Sequence, residues 1–245
     1  TSERRVVAYS PTGVVLWVMS TPDTVNQPAL AFGHHVVVAS VDGTVLALDP
    51  ATGRQVWRVR TPSELALQPV VSGDTLVVID ESGTIVALGP DGHEIWRSAE
   101  FPAGVYTISG GVLVVNERGA STLRGYDVAT GTKLWRSWES GVIRSFSDLD
   151  GVALAYTDNG VKAFDPATGS VLWSVAPVAL DLVVIGDRAV LATTDSLVVL
   201  DRTGTETVRS HHGLSRLPQV TVYLASSTNS LVAMTSQQLF REVAA

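Results

Sequence analysis

Ala47-Leu48-Asp49-Pro50-Ala51-Thr52-Gly53-Arg54-Gln55-Val56-Trp57 reads as the end of a strand, a tight turn, and a second strand that runs to tryptophan. The stretch returns almost unchanged as Ala163-Phe164-Asp165-Pro166-Ala167-Thr168-Gly169-Ser170-Val171-Leu172-Trp173. A third copy, Gly125-Tyr126-Asp127-Val128-Ala129-Thr130-Gly131-Thr132-Lys133-Leu134-Trp135, differs mainly in its first residue. Two copies with a turn one residue shorter run from Ala8 through Ser10-Pro11-Thr12-Gly13 to Trp17, and from Ala87 through Gly89-Pro90-Asp91-Gly92 to Trp96. In all five, tryptophan follows the turn glycine by four residues. The glycines Gly13, Gly53, Gly92, Gly131 and Gly169 are separated by 40, 39, 39 and 38 residues. Self-similarity at that period is the signature of a repeat architecture.

The residue types explain themselves. Pro50 fixes φ at the first central turn position, Asp49 can accept from backbone amides two residues on, and Gly53 supplies a positive φ. A buried indole covers on the order of 150–250 Å². The small residues that open each copy (Ala8, Ala47, Ala87, Gly125 and Ala163) leave room for a flat ring. The expectation is that Trp17, Trp57, Trp96, Trp135 and Trp173 are buried staples between successive repeats, with the five turn glycines as their docking points.

Between these pairs lie shorter hairpins, such as Pro28 to Phe32 with Val36 to Ser40, turning at Gly33-His34. Each full unit thus holds four short strands, with turn signals every 8–12 residues, as expected of all-β repeats. Toward the C-terminus, Val208 stands in the tryptophan place, and the last pair has lost both glycine and tryptophan. Seven strand pairs but six preceding hairpins can be counted. We therefore expect a β-propeller of seven four-stranded antiparallel blades with an incomplete first blade. The alternative is six blades, which leaves residues 230–243 unplaced. Single repeats cannot bury their apolar faces alone, so residues 1–245 are expected to form one domain.

A net charge of −7 and the lack of any basic run argue against a nucleic-acid partner. Absence of cysteine removes thiolate catalysis, disulfides and cysteine metal sites together. No apolar run approaches a membrane span. The chain starts at Thr1, and an anchor in sequence not present here is the expectation.

The motif Ala-x-Asp-x-x-Thr-Gly-x-x-x-Trp resembles the tryptophan-docking repeat of the PQQ-like (quinoprotein-like) β-propellers, and the resemblance covers essentially the whole chain. Alcohol-oxidising members of that family imply longer eight-bladed chains, a calcium site with acidic ligands, and often adjacent cysteines over a bound quinone. Here the acidic residues Asp42, Asp49, Asp74, Asp91, Asp127, Asp165 and Asp201 fall in turns, and cysteine is absent. A quinone-dependent oxidoreductase is thus a remote alternative, and no enzyme, cofactor or metal is expected. The non-enzymatic branch, which includes the barrel-assembly lipoprotein of Gram-negative envelopes, implies an extracytoplasmic, membrane-associated scaffold for protein partners. A small-ligand or sugar sensor is the other reading.

Function in a propeller resides where the repeat is broken. Trp138 is the one tryptophan outside the motif, beside Arg136. It either packs over a blade edge or serves as an exposed aromatic anchor, a composition favoured at interface hot spots. Arg144 falls on an inner strand and is expected to pair with Asp181 on the next. His34-His35 and His211-His212 suggest a metal, but a hairpin turn and an inter-blade connection place the two pairs on opposite faces. Adjacent histidines on an extended chain also point apart. Trp138, Arg136, Arg144, His211 and His212 are the candidate interaction residues. Ser10 and Ser82 have no histidine–acid arrangement that would support nucleophilic catalysis.

Overall fold

The computed structural model describes residues 4–65, 67–99, 103–138, 141–176, 181–193, 196–211, 222–227, 230–235 and 239–244, with the backbone alone from His211 onward. Among them all regular structure is β-strand, arranged in seven sheets. The first has two strands, β1 (Arg5–Tyr9) and β2 (Val15–Ser20). Five four-stranded sheets follow, each a meander in chain order. They are β3 (Leu30–Phe32), β4 (His35–Ala39), β5 (Thr44–Leu48) and β6 (Gln55–Arg60); β7 (Val70–Ser72), β8 (Thr75–Ile79), β9 (Thr84–Leu88) and β10 (Glu94–Ala99); and β11 (Ala103–Ser109), β12 (Val112–Glu117), β13 (Thr122–Asp127) and β14 (Lys133–Trp138). Then come β15 (Ile143–Leu149), β16 (Val152–Thr157), β17 (Gly160–Phe164) and β18 (Val171–Val175), and β19 (Asp181–Ile185), β20 (Arg188–Ala192), β21 (Ser196–Leu200) and β22 (Glu206–His211). The last sheet has three strands, β23 (Val222–Ser227), β24 (Ser230–Thr235) and β25 (Leu239–Ala244). These are the blades of a β-propeller, and the first is a half blade.

Contacts divide the chain into two compact units, residues 1–104 with 126–133, and residues 105–125 with 134–245. The first is built around Phe32, Val37, Ala47, Leu76, Val86 and Leu88. In the second, Leu149, Leu154, Ala163, Leu191 and Leu200 form one cluster, and Val114, Leu123, Ala155 and Phe164 another. The second and third strands of a sheet are covered on both faces, which explains why Thr75–Ile79 and Thr84–Leu88 are buried throughout rather than alternately. First strands lie together: within the second unit β15 approaches β19, and β19 approaches β23. Fourth strands form the outer rim and alternate in exposure, as in Glu94–Ala99.

That rim position changes one expectation. Trp57 is 9% exposed and buried, whereas Trp17, Trp96, Trp135 and Trp173 are half-buried. A fourth strand has solvent along its free edge, so a ring there covers its neighbour with one face and meets water with its rim. Tight hairpins join first to second strands; Asp150 (φ 47°) and Gly151 (φ 77°) both adopt the left-handed backbone that a two-residue turn between twisted strands requires.

Candidate functional site

The repeated turn is built around one carboxylate. Asp49 Oδ1 accepts from the Ala51 and Thr52 amides at 2.9 and 2.8 Å and from Thr52 Oγ1 at 2.9 Å. The Gly53 amide donates to the Asp49 carbonyl at 2.8 Å. Asp127 with Thr130, Asp165 with Thr168, and Asp201 with Thr203 repeat the arrangement. The threonine hydroxyl, then backbone amides, hold Asp49 and Asp127 below the ordinary carboxylate range, and Thr203 does so for Asp201. Asp91 is lowered by its hydrogen bond with His93, a partner that the repeat motif gave no reason to single out. Asp49, Asp127, Asp165 and Asp201 are committed to turn amides and hydroxyls, and Asp91 to His93.

The indoles then join one sheet to the next. Trp17 Nε1 donates to the Pro50 carbonyl at 2.9 Å, Trp57 to Pro90 at 2.9 Å, and Trp96 to Val128 at 2.7 Å. Trp135 donates to Pro166 at 2.7 Å and Trp173 to Arg202 at 2.9 Å. Each ring also lies flat on the turn glycine of the sheet it reaches. A Cβ added to Gly53 would stand 2.5 Å from the Trp17 ring, and Gly92, Gly131, Gly169 and Gly204 meet Trp57, Trp96, Trp135 and Trp173 in the same way. Gly13 differs: among the described residues nothing lies within 4 Å of a Cβ built there. Its positive φ serves the turn, and among the described residues no ring lies on it. Gly204, outside the five-copy motif, takes that fifth place.

A second polar position went unread in the sequence. At the end of the second strand stand Ser40, Asp80, Asn116, Thr157 and Thr193, all buried. Asp80 is 3% exposed. Its Oδ1 accepts from the Ser82 amide, Ser82 Oγ and the Thr84 amide at 3.0, 2.6 and 3.0 Å, while Oδ2 accepts from the Ser63 amide at 3.0 Å. Thr157 Oγ1 donates to the Gly160 carbonyl and Thr193 Oγ1 to the Ser196 carbonyl, both at 2.9 Å. Asn116 reaches the Ala120 carbonyl at 3.0 Å. Asp80, Asn116, Thr157 and Thr193 close the turn between second and third strands with a carboxylate, an amide or a hydroxyl, while Ser40 Oγ donates to the Asp23 carbonyl at 3.3 Å, so no single identity marks the position for the eye to find.

The off-repeat candidates are scattered. Trp138 ends β14 and is 69% exposed, with the Arg136 guanidinium 5.1 Å from its ring centroid. Arg144 is exposed on β15. It shares an electrostatic neighbourhood with Tyr156 and Asp181: burial raises the Tyr156 hydroxyl, Arg144 opposes that rise and Asp181 adds to it. His34 sits in the β3–β4 turn and His211 ends β22, while His212 lies outside the described residues. Among the described residues, no three His, Asp or Glu side chains come together as metal ligands would. A cleft of about 380 Å³ in the first unit is lined by Arg5, Val6 and Val7 of β1, Val38 of β4, and Asn26 and Gln27 of the connection between β2 and β3, among others. No helix among the described residues is long and apolar enough to cross a membrane.

No curated protein matches this chain in sequence. Among solved structures, BamB from Moraxella catarrhalis is similar with a TM-score of 0.70 and 22% identity, over 95% of this chain and 76% of that one. The computationally designed protein Ika8 is similar with a TM-score of 0.70 and 19% identity, over 95% and 78% of the two chains. The C-terminal WD40 domain of Sif2 gives a TM-score of 0.74 at 16% identity, over 99% and 76%. Identities this low establish the fold and leave the role open. Residues 2–100 and 65–238 match the family described as outer membrane protein assembly factor BamB. With its tryptophan-stapled blades and nearly the whole chain matched, the protein belongs to that PQQ_2 family of β-propellers.

Proposed function

We propose that this chain is a non-catalytic, extracytoplasmic propeller that works as one domain, a scaffold or accessory subunit for protein partners in a membrane-associated complex. The observation that carries the reading is the division of labour among side chains. The acids and hydroxyls of the repeat are tied to turn amides, while Trp138 stands 69% exposed under the Arg136 guanidinium. Aromatic and arginine side chains are the ones that dominate interface energetics. Val142, 64% exposed, and Leu134 at 44% add exposed apolar surface on the same stretch of chain. The description of the family as an outer membrane protein assembly factor supports an envelope setting and a role without bond chemistry.

The test is crosslinking in the native cell, followed by affinity purification of the tagged protein and mass spectrometry. Recovery of a defined set of envelope or membrane proteins, reduced by Trp138→Ala with unchanged melting, is the expected result. Recovery of the protein alone would overturn the scaffold reading and turn attention to a bound small molecule, to be sought by calorimetry with a metabolite panel.

A further inference from the structure

On two outer strands, the arginine that follows the tryptophan place is answered by a carboxylate of its own strand. Arg97 on β10 pairs with Glu94 at 2.6 Å, and Arg209 on β22 pairs with Glu206 at 2.6 Å. In both, glutamate stands three residues before arginine. A hydroxyl at the start of the third strand is the other anchor. Arg209 reaches Ser196 Oγ at 3.2 Å, and Arg58 on β6 reaches Thr44 Oγ1 at 3.4 Å. Strand β14 uses neither device. Lys133 holds the glutamate place, and no residue of β14 is acidic. Thr122 opens β13 as Thr44 opens β5, yet its Oγ1 is buried with no hydrogen-bond partner among the described residues. Arg124 of β13 takes the Glu117 carboxylate at 3.2 Å. Arg136 is left exposed beside the Trp138 ring, with no ion-pair partner among the described residues. Glu139 lies outside those residues.

Resting on the scaffold reading above, we infer that the occupant of the Arg136–Trp138 surface is an acidic, extended segment of a partner protein. It lies along β14 with a carboxylate on Arg136 and an apolar side chain on Trp138. The missing glutamate names the chemistry: a guanidinium presents paired N–H donors that match the two oxygens of a carboxylate, and here that carboxylate comes from outside. The sheet names the shape. Strand β14 ends its sheet and pairs with β13 alone among the described residues, so its outer edge offers backbone donors and acceptors to an added strand. Arg136 and Trp138 are two residues apart, on one face and about 6.8 Å from each other, the spacing of alternate residues on such a strand. Charge separates this occupant from an anionic membrane. A bilayer meets a broad surface of a chain with net charge −7, whereas a narrow segment meets the cations of β14, because screening limits the reach of other charges to about 8 Å.

The experiment is fluorescence anisotropy of a labelled peptide that repeats Glu-Thr-Leu-Thr, titrated with the full chain. Saturable binding that weakens as salt is raised is expected, and the matching Gln-Thr-Leu-Thr peptide should bind about tenfold more weakly. Lys133→Glu rebuilds on β14 the arrangement of Glu94 and Arg97, engages Arg136 from within its own strand, and should weaken binding about tenfold, as should Arg136→Gln. Arg97→Gln, on another outer strand, should bind like the wild type, and melting curves check that every variant is folded. Equal binding of the two peptides, full binding by Lys133→Glu, or no binding at all overturns the inference. So does sedimentation with vesicles of phosphatidylglycerol and phosphatidylcholine that depends on Arg136, which would assign the surface to an anionic membrane. Failure here is separable from failure of the scaffold reading. Crosslinking that recovers the same envelope proteins from the wild type and from Lys133→Glu would keep the scaffold and remove its acidic partner.

Discussion

Trp57 Nε1 donates to the carbonyl of Pro90, 33 residues further along the chain, at 2.9 Å, and its ring covers the Gly92 turn that follows. One side chain therefore supplies apolar cover and a directed hydrogen bond to the next sheet.

Trp57→Ala should cost about 3–4 kcal/mol, near the value for a fully buried aromatic. Trp57→Phe keeps most of the cover and loses the hydrogen bond, about 1 kcal/mol. Trp173→Ala should cost about half as much as Trp57→Ala, because the Trp173 ring is half-buried. Urea unfolding of the three variants checks the order; equal losses at both tryptophans would show that burial is not what sets the scale.

Gly53 and Gly13 separate backbone strain from ring contact. Both have positive φ, 70° and 83°. Gly13→Ala should cost about 1–2 kcal/mol from the left-handed backbone alone. Gly53→Ala adds displacement of the Trp17 ring and should lose about 3 kcal/mol. Thermal melts of the two variants, with tryptophan fluorescence as a second probe, should show a red shift for Gly53→Ala only.

Asp80 is satisfied by four donors inside the first unit, so Asp80→Ala strands the Ser63, Ser82 and Thr84 amides. A loss of about 3 kcal/mol is expected. Asp80→Asn keeps one acceptor but turns an NH2 group toward a backbone N–H, whichever way the amide lies, and should lose about 1–2 kcal/mol. Chemical denaturation measures both. A neutral Asp80→Ala would mean that water replaces the carboxylate at this turn.

The turn acids impose a sign on pH dependence. Asp49, Asp127 and Asp201 have folded pKa values below 3.8, so their contribution is fully present above that pH and is lost as pH falls through the folded values. Melting temperature should hold steady from neutrality to weak acid and then fall. The triple variant Asp49→Asn, Asp127→Asn, Asp201→Asn keeps the side-chain acceptors without the charge. Its melting temperature should depend less on pH below about 4 than that of the wild type.

The outer hairpin of each blade was legible because turn chemistry is local: Asp, Thr and Gly at fixed offsets perform a task that few other residues can. The buried position shared by Asp80, Asn116, Thr157 and Thr193 was not, because a hydroxyl, an amide or a carboxylate can each close that turn. Tryptophan at the rim was readable as contact but not as exposure, which depends on where the fourth strand sits. The exposure of Trp138 likewise follows from its outward place on β14 rather than from its neighbours in sequence. Leu16, Val56, Ile95 and Leu172 share a further hidden feature. Each precedes the tryptophan at the register shift of its outer strand, and such a bulge leaves no mark in composition.

Each of the five repeat indoles, Trp17, Trp57, Trp96, Trp135 and Trp173, donates forward along the chain. A sheet's turn is thus secured by its predecessor, while its own ring secures its successor. Losing a tryptophan should leave its home sheet nearly as protected as before and loosen the turn about one repeat downstream. Hydrogen exchange in a tryptophan variant would read that displacement directly, as a defect appearing in one place from a lesion made in another. Val208, standing where a ring would be, breaks the succession, and the three strands beyond it are left without an indole from β22.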